Sequence, residues 1–293
     1  MRGLMDAISL LRPLQWVKNS FVLAGLLFGH AWGDAALLQA ALLATFAFCL
    51  ASSAVYAFND SADAANDRLH PKKRSRPVAR GAITVGAARV LAAGCALAGL
   101  LLAWVAGVHV FWLVLLYLGL NVAYSLGLKR IPVVDVFSIA TGFMLRLLAG
   151  TSAIGIEASS WLLACGFFLT LFLGFAKRKA ELDLMEEAAA LHRSALSRYP
   201  AGFLGGAVMV SAACMVMAYG LYAVSPATAQ LHGTTRLVWT LPWVLLGTFR
   251  YLLRLYAGEA GADPSLDIYR DPILAACALG WGVSVWLLIA PAG

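Results

Sequence analysis

The sequence predicts an all-α membrane protein on three observations: an apolar composition beyond the needs of a soluble core, apolar runs of membrane-crossing length, and basic residues gathered in alternate loops. Hydrophobic residues make up 61% of the 293-residue chain and charged residues 13%, with mean hydropathy +0.80. A soluble core of this length buries far less apolar surface. Apolar segments fall near 14–31, 35–58, 84–106, 109–127, 132–154, 159–176, 203–224, 236–257 and 271–290. Each is about long enough to cross a hydrocarbon layer of roughly 30 Å, so nine transmembrane helices are expected, with only Gly107-Val108-His109 separating the third from the fourth.

Orientation follows from the cations. Arg2, Arg12 and Lys18 precede or open the first helix, and Arg68, Lys72, Lys73, Arg74, Arg76 and Arg80 fill the loop after the second. Lys129 and Arg130 follow the fourth, and Lys177, Arg178, Lys179, Arg193 and Arg198 follow the sixth. The opposite loops offer little beyond Asp34, Glu157 and Arg236. The positive-inside rule then places the N-terminus inside and the charged loops in the cytoplasm. The expected location is a bacterial-type inner (plasma) membrane, with the active site facing the cytoplasm. No removable signal peptide is expected, because Arg2, Asp6 and Arg12 interrupt the start of the chain. Cys49, Cys95, Cys165, Cys214 and Cys277 stand singly in apolar segments and read as small hydrophobes, not as a zinc or disulfide framework. Only 178–202 and 258–270 are sizeable polar stretches, so a single domain over 1–293 is expected.

The chain is organised around Asn59-Asp60-x-x-Asp63-x-x-x-Asp67, at the foot of the second helix. In a continuous helix these residues share one face. Carboxylates about 4 Å apart repel by roughly 4 kcal/mol at an intermediate dielectric, so such a face invites Mg²⁺ and, through it, a phosphorylated or diphosphorylated substrate; the plain alternative is a solvated helix end. The basic loop that follows either anchors to anionic lipid or supplies phosphate donors, for which Arg74, Arg76 and Arg80 are preferred, with Pro71 and Pro77 stiffening the turn. Lys18, beside Trp16 and Asn19, is an interface anchor or a contact to a lipid phosphate. Tyr124 and Asn121 lie one turn apart where polar groups call for a cavity. Arg146, some three turns up the fifth helix from Asp135, either snorkels outward or holds a buried anion. Lys177 and Glu181 either pair on a helix surface or contribute to a second metal or a sugar hydroxyl. Asp271 is placed to cap the last helix ahead of Pro272. His30, His109 and His232 fall in short outer turns and are left out of the site.

The aspartate motif with its basic loop, and Tyr124-Ser125-x-x-Leu128-Lys129-Arg130, resemble the two most recognisable stretches of the UbiA-type intramembrane prenyltransferase superfamily. That resemblance implies a helical bundle around a central cavity with a cytoplasmic cap. Ubiquinone-type and chlorophyll-type members carry a second aspartate-rich DxxxD motif after the sixth helix. This chain has Lys177-Arg178-Lys179-Ala180-Glu181-Leu182 there, with only a DxxxE spacing from Asp183 to Glu187. It is more similar to the decaprenyl-phosphate phosphoribosyltransferase branch. The likeness extends to Lys18-Asn19, Gly142-Phe143-x-Leu145-Arg146, Arg250-Tyr251 and Arg270-Asp271.

The resemblance implies Mg²⁺-dependent transfer of a 5-phosphoribosyl group from phosphoribosyl diphosphate to a polyprenyl phosphate, releasing diphosphate, in cell-envelope biosynthesis. Asp60, Asp63 and Asp67 then hold Mg²⁺ with Asn59 as a neutral ligand. Arg74, Arg76, Lys129 and Arg178 meet phosphates, Glu181 meets ribose hydroxyls or a second metal, and Lys18 and Arg146 meet the acceptor phosphate. Asn19, Arg80, Tyr124 and Lys177 complete the expected substrate-binding set. The partners are these two substrates and membrane lipids, with no nucleic acid and a homo-oligomer left open. Two alternatives predict different products. A prenyltransferase moves a prenyl group from a prenyl diphosphate to another acceptor. A transporter or flippase of a phosphorylated lipid forms no covalent product and would more naturally show an inverted repeat, which the sequence lacks.

Overall fold

The computed structural model of the chain describes residues 2–29, 31–69, 73–188, 198–261 and 264–289. His30, Pro71, Lys72 and Arg193, and the side chains of Arg2 and Glu187, lie outside the described residues. All secondary structure among the described residues is helical. The chain forms two units, Met1–Lys129 with Gly142–Ala158, and Arg130–Thr141 with Ser159–Gly293.

In the first unit, α1 (Arg2–Leu11) is amphipathic: Leu4, Met5 and Ile8 are exposed while Leu10 is fully buried. A 3-10 helix over Pro13–Leu23 runs into the short α2 (Ala24–Phe28). There follow α3 (Ala35–Ala62), α4 (Ala64–Leu69), α5 (Val85–Ala106) and α6 (Val108–Leu126). Asp34 starts α3 by accepting from the Ala36 and Leu37 amides at 2.8 and 3.2 Å, and Thr84 starts α5 by accepting from Ala87 at 3.1 Å. Gly107, at φ 145° and ψ 151°, separates α5 from α6 where the sequence placed the break. The helices pack on small residues, Ala44, Ala47 and Ala51 of α3 lying with Phe48 against Val110, Val114 and Tyr117 of α6.

α7 (Val134–Ala153) begins in the second unit and continues in the first. The second unit adds α8 (Ser160–Ala188), α9 (Phe203–Val224), α10 (Pro226–His232), α11 (Leu241–Tyr256), α12 (Pro264–Arg270) and α13 (Pro272–Ile289). Its core gathers Val136, Phe172, Phe175, Leu204, Val208, Tyr251, Leu255 and Leu274.

Among the described residues seven helices are long and apolar enough to cross a membrane: α3, α5, α6, α7, α8, α9 and α13. The other two expected spans take a different local form. Segment 14–31 is mostly the Pro13–Leu23 3-10 helix, and segment 236–257 is a 3-10 turn, Arg236–Thr240, followed by α11. The first has a clear cause. A 3-10 helix has about three residues per turn, which brings Trp16, Asn19 and Val22 onto one face, and all three are engaged there. Trp16 donates to Ser53 at 3.0 Å, while Asn19 donates to Cys49 and Ser52 at 3.2 and 3.3 Å. Val22 approaches α7 so closely that a Cβ on Gly150 would stand 1.7 Å from its carbonyl oxygen. All five cysteines are free thiols, none of them exposed, as the sequence led one to expect.

Candidate active site

The aspartate motif is not one continuous helix. α3 ends at Ala62, Asp63 takes φ −93° and ψ 5°, and α4 restarts at Ala64. Backbone bonds bridge the break, from Asp63 N–H to Asn59 and from Asp67 N–H to Asp63, each at 2.9 Å. The break divides the carboxylates, which corrects the expectation that all three share a face. The Asp60 and Asp67 side chains are 3% and 4% exposed, whereas Asp63 is 34% exposed and turns elsewhere.

Asp60 and Asp67 converge on a single atom. Arg76 Nη1 donates to Asp60 Oδ1 at 3.0 Å and to Asp67 Oδ2 at 2.7 Å. Arg12 Nη2 adds a second guanidinium on Asp60 Oδ1 at 2.6 Å, its own cation resting 4.9 Å from the centre of the Tyr56 ring. Lys73 Nζ lies 3.7 Å from Asp67 Oδ1. Lys129 Nζ donates to both Asp63 oxygens, at 3.0 and 3.1 Å. Ser125 Oγ donates to Asn59 Oδ1. The two stretches that carried the resemblance, 66 residues apart, therefore meet side chain to side chain.

Of the three loop arginines preferred from the sequence, only Arg76 turns onto the aspartates. Arg74 is exposed, and Arg80 pairs with Asp6 of α1. The loop folds back because Pro77, Val78 and Ala79 are buried, Val78 beside Leu10, Ala57 and Ala64, and because Arg68 Nε donates to the Ala79 carbonyl at 3.1 Å. Arg12, by contrast, is a charge that the sequence uses for orientation and against a signal peptide, not as a site residue. Its backbone is left-handed, at φ 52° and ψ 58°, at the joint between α1 and the 3-10 helix. No spacing rule announces a contact that this joint creates.

A second polar group lies deeper in the same unit. Arg146 is 6% exposed, and its fork is spread over Asn19 Oδ1 (2.8 Å), the Gly142 carbonyl (2.9 Å) and Tyr117 Oη (2.9 Å). Its cation lies 4.6, 5.1 and 5.7 Å from the ring centres of Tyr117, Phe143 and Phe48. Two more stretches of the resemblance, at 18–19 and 142–146, meet here. Lys18 and Tyr124 are half-buried and both are engaged.

In the second unit, Arg178 donates from Nε to Asp135 Oδ2 at 2.7 Å and from Nη1 to Glu181 Oε2 at 2.6 Å. Glu181 is thus the partner of Arg178, not of Lys177, which is half-buried; Lys179 pairs with Asp183 at 2.6 Å. Tyr199 donates to Asp135 Oδ1 at 3.0 Å and accepts from the Val133 amide at 2.6 Å. Burial, reinforced by the Asp135 charge, pushes the Tyr199 hydroxyl up to about 12, so it stays a donor at neutral pH. Val133 holds φ 69°, uncommon for a β-branched residue. Arg250 and Arg254 both reach Asp271, at 2.7 and 3.3 Å, joining the Arg250-Tyr251 and Arg270-Asp271 stretches. Hydrogen bonding from Arg250 holds the Asp271 carboxyl down at about 2, and Asp271 caps α13 through the Leu274 amide at 2.9 Å, as expected. His232 bonds Tyr222 at 2.7 Å.

Among the described residues no three His, Cys, Asp or Glu side chains stand close enough to hold a metal ion by themselves. Asp60 and Asp67 nevertheless fit a cation, because two buried carboxylate oxygens already coordinate one positively charged atom, Arg76 Nη1. Their all-oxygen chemistry suits a hard divalent ion such as Mg²⁺. Four cationic side chains, Arg12, Lys73, Arg76 and Lys129, face the three carboxylates. The surplus positive charge is suited to an anion, and guanidinium forks match phosphate oxygens in pairs.

Seven apolar helices and a buried carboxylate pair faced by guanidinium groups define an integral membrane protein with a site suited to a divalent cation and phosphates. The UbiA prenyltransferase family matches residues 19–267, and the chain belongs to that family. It is 35% identical to the decaprenyl-phosphate phosphoribosyltransferase of Corynebacterium glutamicum over 284 residues, covering 94% of this chain and 83% of that one. It is 34% identical to the enzyme of the same name from Mycobacterium tuberculosis, covering 98% and 94%. A UbiA homolog from Archaeoglobus fulgidus bound to GPP and Mg²⁺ shares the fold with TM-score 0.72 at 21% identity, covering 96% of this chain and 99% of that one.

Proposed function

We propose that this chain transfers a 5-phosphoribosyl group from phosphoribosyl diphosphate to the phosphate of a long polyprenyl lipid. The observation that carries the choice of reaction is the near-full-length likeness to decaprenyl-phosphate phosphoribosyltransferases. The bond from the anomeric carbon to the diphosphate breaks, a bond from that carbon to an acceptor phosphate oxygen forms, and diphosphate leaves with the electron pair. A phosphate monoester is largely ionised near neutral pH, so no strong general base is required.

Asp60 and Asp67 are the residues that would hold Mg²⁺, which when bound neutralises charge growing on the leaving diphosphate; Asn59 and Asp63, the other residues of the motif, are held by Ser125 and Lys129. Arg12 fixes Asp60 through the same oxygen that meets Arg76. Arg76 and Lys129 contact the diphosphate, with Arg74 and Arg80 at the loop rim. In the second unit, Lys177, Arg178 and Glu181 are a set of the kind that a sugar phosphate and its hydroxyls require. Lys18, Asn19, Tyr124 and Arg146 serve the acceptor phosphate.

The same reading extends to topology. The Pro13–Phe28 and Arg236–Tyr256 segments count as the eighth and ninth spans, because a 3-10 helix rises about 2.0 Å per residue against about 1.5 Å for an α-helix, bringing each to about 30 Å. The chain is then one transferase domain over 1–293 in the inner (plasma) membrane, with the N-terminus and a cap bearing the aspartates in the cytoplasm.

The test uses purified protein with Mg²⁺, polyprenyl phosphate and phosphoribosyl diphosphate labelled in the ribose. Label enters the lipid fraction if the proposal is right, and EDTA prevents it. No lipid label, together with transfer from a labelled prenyl diphosphate to a non-phosphate acceptor, replaces it with the prenyltransferase reading.

A further inference from the structure

We propose that Arg76 is an exchangeable counter-ion. In the ligand-free protein it occupies the cation seat between Asp60 and Asp67, and when the divalent ion arrives it swings to the donor's diphosphate. Metal and diphosphate then bind as a coupled pair, neither binding well alone. The inference rests on the proposed function, since it takes the diphosphate end of the donor as the incoming anion.

The seat is defined by one nitrogen. Arg76 Nη1 touches Asp60 Oδ1 at 3.0 Å and Asp67 Oδ2 at 2.7 Å, so the two oxygens stand within two hydrogen-bond lengths of each other. An Mg–O bond of about 2.1 Å asks each oxygen to move in by less than about 1 Å. The guanidinium and the metal cannot share this position, because both are cations and the space between the carboxylates takes one atom. Leaving the position empty is costly, because side chains 3% and 4% exposed carry two carboxylates largely shielded from water. Direct exchange avoids that cost.

Arg76, and not Arg12, is the group that leaves. Arg12 contacts Asp60 alone and is anchored by the Tyr56 ring, at the end of α1. Arg76 lies on a turn between residues 73 and 81; the two guanidinium side chains are equally exposed, at 27%, so the turn and the lack of a ring contact among the described residues, not exposure, mark Arg76 as the one that moves. The charge balance shows where it goes. Four cations face three carboxylates, so a divalent ion raises the surplus from one positive charge to three, close to the charge of a diphosphate ester. Without an anion that surplus resists the metal, and without the metal Arg76 is occupied and cannot meet the anion. Coupling of this kind is reciprocal, and values of roughly 5- to 150-fold are typical.

The experiment titrates purified full-length protein in detergent with Mn²⁺ alone, reading free ion by electron paramagnetic resonance, for wild type, Arg76→Met, Arg76→Lys and the pair Asp60→Asn with Asp67→Asn. A second arm measures retention of labelled inorganic diphosphate at fixed free Mg²⁺. Arg76→Met is expected to bind Mn²⁺ at least about tenfold more tightly than wild type and to lose diphosphate retention by a similar factor. Arg76→Lys, which keeps the charge but not the fork, falls between and decides the matter if the methionine variant does not purify. Mn²⁺ affinity in the Arg76 variants equal to or below that of wild type overturns the exchange and leaves the metal seat standing. Mn²⁺ binding unchanged by the asparagine pair removes the seat itself, and with it the metal assignment of the proposed function.

Discussion

Replacing Arg178 by Met tests whether the second unit's polar centre is a structural necessity. Arg178 is 12% exposed and Asp135 1%, joined at 2.7 Å, with Tyr199 on the other carboxylate oxygen at 3.0 Å. Removing the guanidinium leaves a buried carboxylate with one neutral donor. Breaking a buried pair from one side costs about 3–5 kcal/mol, which for a chain of this size lowers Tm by on the order of 10 °C. Asp135→Asn keeps the Tyr199 contact and leaves Arg178 its Glu181 partner, so its loss is nearer 1–2 kcal/mol. The double variant contains no orphaned charge at position 135 and should recover about 2 kcal/mol relative to Arg178→Met. Thermal unfolding of the four proteins in one detergent, followed by loss of the monodisperse peak, provides the cycle. If the two single losses add to within about 0.5 kcal/mol, the pair is not coupled and the reasoning fails.

Asp63→Ala, at the most exposed of the three aspartates, should lower transfer by about 100-fold or more while leaving Tm unchanged; a parallel fall in Tm would make its role structural. Asp60→Ala leaves Arg12 and Arg76 facing each other across a buried gap and should destabilise by about 3 kcal/mol, visible as reduced yield and Tm. Asp271 has a lowered folded-state value, about 2 against an ordinary 3.8. Its contribution to stability is therefore complete above the ordinary value and is lost as the pH falls towards 2; Asp271→Asn should flatten that part of a Tm-against-pH curve. Gly150→Ala places a Cβ 1.7 Å from the Val22 carbonyl oxygen and should cost about 3 kcal/mol or more as backbone must shift, while Gly94→Ala, which meets nothing within 4 Å, should not.

Membrane class, most helix positions and the break at Gly107 were legible because hydrophobic length and backbone permissiveness are properties of a residue run. The aspartate stretch stood out as well, since acid beside a basic loop is chemically unusual wherever it folds, whereas Lys129 entered the site only through the family resemblance. Same-face reasoning failed at Asp63, because spacing predicts a shared face only while the helix continues. The choice of Arg76 over Arg74 and Arg80 depended on how residues 77–79 bury beneath α1 and α3, and the role of Arg12 on a contact across 48 residues. The sequence by itself thus determined what kinds of group are present and at which end of which helix. Tertiary packing decided which cation neutralises which carboxylate, because that choice is made by distances of 2.6–3.0 Å between side chains from nine to 66 residues apart, and no helical spacing encodes them.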